Sequence, residues 1–335
     1  MRPASEAGMT ITRFGTAPDG RAVQRITLQA GRLRVALLDL GAILQDVRLA
    51  GIDWPLTAGA PELAAYLGPM RWFGAIVGPV ANRIGGASAR IGGRDVRFEP
   101  NEGPNLLHSG PQGLHGRLWQ VVEVGSSRAL LRLDLADGID GFPGNRRIEA
   151  ELTLTPPATL RLVLTAVSDA PTLMNLANHS YWTLDPEPGI GGQHLRLAAE
   201  HWLPSADGLP TGEIRAAEGT FDLRAGRPLG PAEEIDHNFC LTHRPRTLTE
   251  VARLTGRSGV SLTLATTAPG LQVYTGRDID SGEHAGHHGR PLRAFDALAL
   301  EPQLWPDAPH HPAFPSIDLQ PGALFRQETR FSFSA

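Results

Sequence analysis

The sequence contains no lysine; all 31 basic residues are arginine. Schiff-base chemistry, pyridoxal chemistry and the phosphate cradle of P-loop nucleotide enzymes each need a lysine amine, so those classes are excluded. Cysteine is almost absent too. Cys240 is the single one, which rules out an intrachain disulfide and fits a reducing cytoplasm. Long apolar runs are missing: the stretch around 73–81 is far short of a membrane-spanning helix. The first 15 residues lack the charged-then-apolar pattern of a secretory leader, so a cytoplasmic location is expected, with no membrane partner. Positive charge is not in excess. A net charge of −4 leaves no basic footprint for nucleic acid. No Gly-x-Gly-x-x-Gly run follows a strand-like segment, which argues against a Rossmann cofactor site.

What is present is glycine (38) and proline (28), which punctuate short apolar alternations. Leu33, Val35 and Leu37 alternate, as do Leu131, Leu133 and Leu135. Residues 148–164 read as two strands about Pro156-Pro157, and Gly92-Gly93 suits a tight hairpin. A period of two with frequent turns means antiparallel β-structure. The expectation is an all-β fold, a large antiparallel β-sandwich forming one domain over residues 1–335, with residues 1–8 as an N-terminal extension. Helix candidates are few: residues 60–67 could make two turns, and residues 247–256 fit a helix or a strand.

Several polar residues interrupt this pattern. Asn82 and Arg83 follow an apolar strand, His108 sits in "NEGPNLLHSG", His179 in "NLANHSYWTL", Asp236 in "EIDHNF" and Gln272 in "PGLQVYTG". Glu301 ends the apolar strand Ala297-Leu298-Ala299-Leu300, where partial desolvation raises a carboxyl pKa and its strength as a base. Each has a plainer reading: Glu301 or Arg83 as an ion-pair partner, His108 bonding a turn carbonyl, Asp236 in an Asx-turn. His284, His287 and His288, like His310 and His311, do not match zinc spacing, so no metal is expected. Glu301, Asp307 and Asp236 could supply a glycosidase carboxylate pair, but no spacing singles that pair out.

Taken in order, "VGPVANRIGG", "NEGPNLLHSG", "DGIDGFPGN", "NLANHSYWTL", "IDHNFCL", "APGLQVYTG" and "EPQLWPDAPHHPAFPS" resemble the aldose 1-epimerases, also called galactose mutarotases. The resemblance spans nearly the whole chain. It implies a β-sandwich of several sheets with a sugar cleft, and a strand over 247–256. It implies Glu301 as the general base at the anomeric hydroxyl and His179 as the acid at the ring oxygen. Asn82, Arg83, His108, Asp236 and Gln272 would hold the sugar. Pro79, Ile235 and Pro302 depart from the family's usual residues, and Ile235 and Pro302 would flank the cleft. The implied substrate is a free monosaccharide, the implied state a monomer or homodimer. Ring opening moves only protons, so no cofactor is expected. Activity should therefore survive exhaustive chelation and dialysis. Loss on chelation, restored by one specific metal, would bring back the metal reading of His284, His287 and His288.

Overall fold

In the computed structural model, residues 10–335 are described; the expected N-terminal extension, residues 1–8, lies outside them. Three antiparallel sheets dominate. The first has four strands in chain order, Thr10–Thr16, Ala22–Ala30, Leu33–Leu38 and Leu44–Leu49. The second has nine, running from Gln120–Val124 through the long hairpin Arg146–Thr155/Thr159–Ser168 to the C-terminal strand Phe325–Ser334 and on to Arg227–Pro228. The third has six: Tyr181–Trp182, Leu298–Gln303, Gly270–Tyr274, Asp236–Cys240, His201–Trp202 and Arg215–Ala216. The all-β architecture expected from the alternation is therefore the one that forms. No helix among the described residues is long and apolar enough to cross a membrane.

Local chemistry explains the individual elements. Thr155 pairs with Thr159 across the Pro156-Pro157 turn, because proline cannot continue a ladder. Gly92 and Gly93 both have positive φ (55° and 82°), the conformation a two-residue hairpin needs, and they join Ser88–Ile91 to Arg94–Arg97. The ambiguous segment 247–256 becomes the strand Thr249–Thr255, paired with Ser261–Thr266. The helix expected over 60–67 shrinks to a single turn, Leu63–Tyr66, because Gly68 and Pro69 follow at once.

One apolar cluster runs from Ile26 to Phe333 and takes residues from all three sheets. Trp182 is one contact between the six- and nine-stranded sheets. It is fully buried, with Phe331 and Phe333 at ring centroid distances of 5.0 and 5.6 Å. On the other face of the nine-stranded sheet, arginines pair with carboxylates across strands: Arg132 with Glu149, and Arg161 with both Glu151 and Glu328. Opposite charges on neighbouring strands favour this register. Trp182→Ala should cost about 3–5 kcal/mol of stability by leaving a cavity between the sheets, read as a lowered urea midpoint.

Candidate active site

The six-stranded sheet carries the polar residues on one face. On Leu298–Gln303, Leu298 and Leu300 enter the apolar core, so Ala299, Glu301 and Gln303 face the other way. On Gly270–Tyr274, Leu271 and Val273 are core, which leaves Gln272 and Tyr274 on the polar face. Gln272 pairs with Glu301 on one side and with Asn238 on the other. Tyr181 pairs with Ala299, and continuing that antiparallel register by two residues brings His179 beside Glu301. His179 Nε2 and Glu301 Oε2 are 3.7 Å apart, and both side chains are buried. Gln272 Nε2 donates to Asp236 Oδ1 at 2.7 Å.

The opposite wall comes from loops held in left-handed backbone. Asn82, His108 and Ser109 have φ of 60°, 49° and 64°. Non-glycine residues in that region carry strain that surrounding contacts must hold in place. Here the contacts are specific. Asn82 Oδ1 accepts the Arg83 N–H at 2.9 Å, and the Asn82 N–H donates to His108 Nδ1 at 3.2 Å. An accepting Nδ1 puts the His108 proton on Nε2, where it can donate to a ligand. The His108 ring lies edge-on to His179 at 5.1 Å and tilted against Trp72 at 5.2 Å. His179 stacks on Tyr181 at 4.9 Å, and Tyr181 on Phe73 at 4.2 Å. All seven residues singled out in the sequence, Asn82, Arg83, His108, His179, Asp236, Gln272 and Glu301, line one cleft of about 340 Å³.

The sequence matches the family described as aldose 1-epimerase over residues 24–332. It is 33% identical to the galactose mutarotase of Homo sapiens over 342 residues, 98% of this chain and 99% of that protein. Identity to the aldose 1-epimerase of Escherichia coli K12 is 31%, covering 95% and 97%. Among solved structures, an aldose epimerase homologue from C. elegans aligns with a TM-score of 0.87 at 29% identity, over 93% of this chain and 99% of that one. A galactose 1-epimerase from Lactobacillus acidophilus NCFM aligns at 0.84 with 25% identity, over 97% and 98%. The chain belongs to the aldose 1-epimerase family. Epimerisation of an aldose at C1 makes it an isomerase.

Burial dominates the electrostatics of this epimerase. Desolvation pushes the Glu301 carboxyl well above its ordinary range; Asp236 adds to the rise and Arg83 opposes it. Desolvation also pulls His179 down to about 4 and His108 well below its usual value. Glu301 Oε2 and Gln272 Oε1 are buried without a hydrogen-bond partner among the described residues. Unpaired acceptors of this kind are costly and suit a ligand rich in hydroxyl donors.

Other sequence candidates lie elsewhere. Asp307 lines no part of the cleft; its Oδ1 accepts the Gly85 N–H at 2.9 Å and meets His310 Nδ1 at 2.6 Å, so it braces a loop. His287 Nε2 sits 3.0 Å from the Gln45 carbonyl. No metal-binding group of three or more His, Cys, Asp or Glu exists among the described residues. Pro302 does not flank the cleft as expected: it alternates with Glu301 and is buried on the core side. Ile235 is buried in the apolar cluster and also lines a second cavity that shares Arg83 and Asp236 with the cleft. Sequence reasoning also missed several walls: Trp72, Glu102, Tyr181, Tyr274 and Asp278. Period two would have found two of them, since Tyr181 lies two residues from His179 and Tyr274 two from Gln272.

His115 offers a pH test outside the cleft. It sits in the turn Leu114–Gly116, buried, with its ring 6.2 Å from Trp72, and desolvation first, then Arg71 and Arg117, lowers it to about 4. The fold refuses protons that the unfolded chain accepts below pH 6.5, so stability falls as pH drops from 6.5 towards 4. His115→Gln removes that linkage. Its loss of unfolding free energy between pH 7 and 4.5 should be smaller than in the unmodified protein by roughly 2 kcal/mol, measured by urea titration at both pH values.

Proposed function

We propose that this cleft interconverts the α- and β-anomers of a free aldose by ring opening, with Glu301 taking the proton from O1 and His179 supplying one to the ring oxygen. The observation that carries the reading is the Glu301–His179 pair, 3.7 Å apart and buried at the floor of a cleft with room for a sugar ring. Arg83, His108 and Asn82 stand on one wall, Asp236 and Gln272 on the other, as donors and acceptors for the sugar hydroxyls. The sugar opens, the C1–C2 bond turns, and the ring closes on the other face of C1. A protein that only bound sugars would have no use for a base and an acid at one floor. Because relatives are named galactose mutarotases, galactose is the first sugar to test; a pentose or deoxy sugar is the second. A cytoplasmic location accords with the single, buried thiol of Cys240.

With the ring closed and ready to react, the pair is Glu⁻ and HisH⁺. Once O1 has lost its proton and the ring oxygen has gained one, both side chains are neutral. Desolvation raises Glu301 and lowers His179, so it favours that neutral pair. The neutral pair is favoured with the ring closed as well, so the reactive Glu⁻/HisH⁺ form is reached by moving the shared proton from Glu301 to His179 before the ring opens.

The same shifts fix the pH profile. The pair works with one proton between its members. A second proton arrives on the acid side near the lowered His179 value of about 4, and the last leaves at the raised Glu301 value. The acid limb then belongs mainly to His179 and the alkaline limb to Glu301, with both values properties of the pair. Glu301→Gln and His179→Asn should each lower kcat by about 10²–10⁴-fold with sugar affinity largely kept, and the double variant should fall by less than the product. Polarimetry of freshly dissolved α-anomers measures this. Near-normal kcat in Glu301→Gln would refute the mechanism.

A further inference from the structure

The cleft is flanked by more carboxylates than cations, and its cations are already matched. Arg83 is held bidentately by Glu102, Nε to Oε2 at 2.5 Å and Nη2 to Oε1 at 2.7 Å. Its third nitrogen, Nη1, has no partner among the described residues. The Gly208 turn holds the guanidinium on a second side. With φ of 79°, a side chain there would be strained, and its Cβ would lie 2.9 Å from Arg83 Cζ. Arg277, at the outer end, is matched by Glu234 at 3.0 Å and Asp278 at 3.4 Å. Asp207 and Asp236 have no cationic partner among the described residues, and both line the outer cavity of about 940 Å³ that shares Arg83, Glu102 and Asp236 with the cleft.

We infer that Glu102 sets the charge specificity of this cleft: by matching Arg83, it makes the protein take uncharged aldoses and turn away anionic ones, such as uronates and aldose phosphates. The inference rests on the reading of the cleft as the catalytic site. A bidentate carboxylate occupies the fork that a sugar carboxylate or phosphate would otherwise use. It also cancels the charge that would attract such a sugar, while Nη1 stays free for a neutral hydroxyl. An entering anion then meets the unmatched carboxylates of Asp207 and Asp236 in a concave site, where like charge is felt more strongly than on an open surface.

Glucuronate and glucuronamide test this, since they share a shape and differ by one charge. Polarimetry should give the unmodified protein a kcat/KM for glucuronamide at least tenfold above that for glucuronate, with the gap narrowing as salt screens the repulsion. In Glu102→Gln, similar in size but uncharged, the gap should close or invert, and salt should now slow glucuronate. Glu102→Asp should restore the preference for the amide. Equal turnover of the two sugars by the unmodified protein overturns the inference, as does an unchanged gap in Glu102→Gln. Should that variant fail to fold, the paired sugars and their salt dependence in the unmodified protein decide. Activity on neutral aldoses without charge discrimination sinks this inference alone, whereas no activity on any neutral aldose sinks the reading beneath it as well.

Discussion

The structure depends on keeping a carboxyl and an imidazole together out of water. Glu301 and His179 are buried, and isolated charges there would be costly, so each is driven towards its neutral form. That cost can be carried only if the sheet holding Glu301 is fixed firmly from behind. Leu298 and Leu300, which precede it in the strand, anchor it in the apolar cluster, and Trp182 anchors the neighbouring strand on Phe331 and Phe333. The two side chains lie 3.7 Å apart, close enough to act on one bound molecule.

The rest of the cleft follows from how two kinds of backbone meet. The sheet supplies regular spacing: Asn238, Gln272, Glu301 and His179 fall in one row because antiparallel pairing sets them opposite each other. The loops supply what a sheet cannot, side chains approaching from above. Asn82 and His108 manage this with left-handed backbone locked by the bond from the Asn82 N–H to His108 Nδ1. Rigid strands hold the reacting pair, and strained loops aim the binding groups at it.

Arginine as the sole long cation shapes the remainder. Its fork matches carboxylates two bonds at a time, and the protein uses that from the Arg161–Glu328 pair on the nine-stranded sheet to the Arg83–Glu102 pair at the cleft. On the sheet the pairs support register. At the cleft the same chemistry governs which charge the site presents.

Much of this was legible in the sequence. Period-two alternation was enough for the antiparallel fold, the missing lysine excluded whole reaction classes, and the motif order pointed to the seven residues that share the cleft. Strand ends and hairpins were readable because alternation and turn residues are local properties. The strand Thr249–Thr255 depended on its pairing with Ser261–Thr266, which local pattern does not carry, whereas the stop after Leu63–Tyr66 was there to read in Gly68 and Pro69. Only the tertiary structure decided which loop residues join the strands at the cleft: it brought Trp72 and Asp278 there. It also decided that Glu102 meets Arg83, and that Glu301 and His179, 122 positions apart in sequence, come within 3.7 Å. The reason is physical. A residue's type and spacing fix what chemistry it can do, but its protonation and its partner depend on burial and neighbours, and those exist only once the sheets have packed.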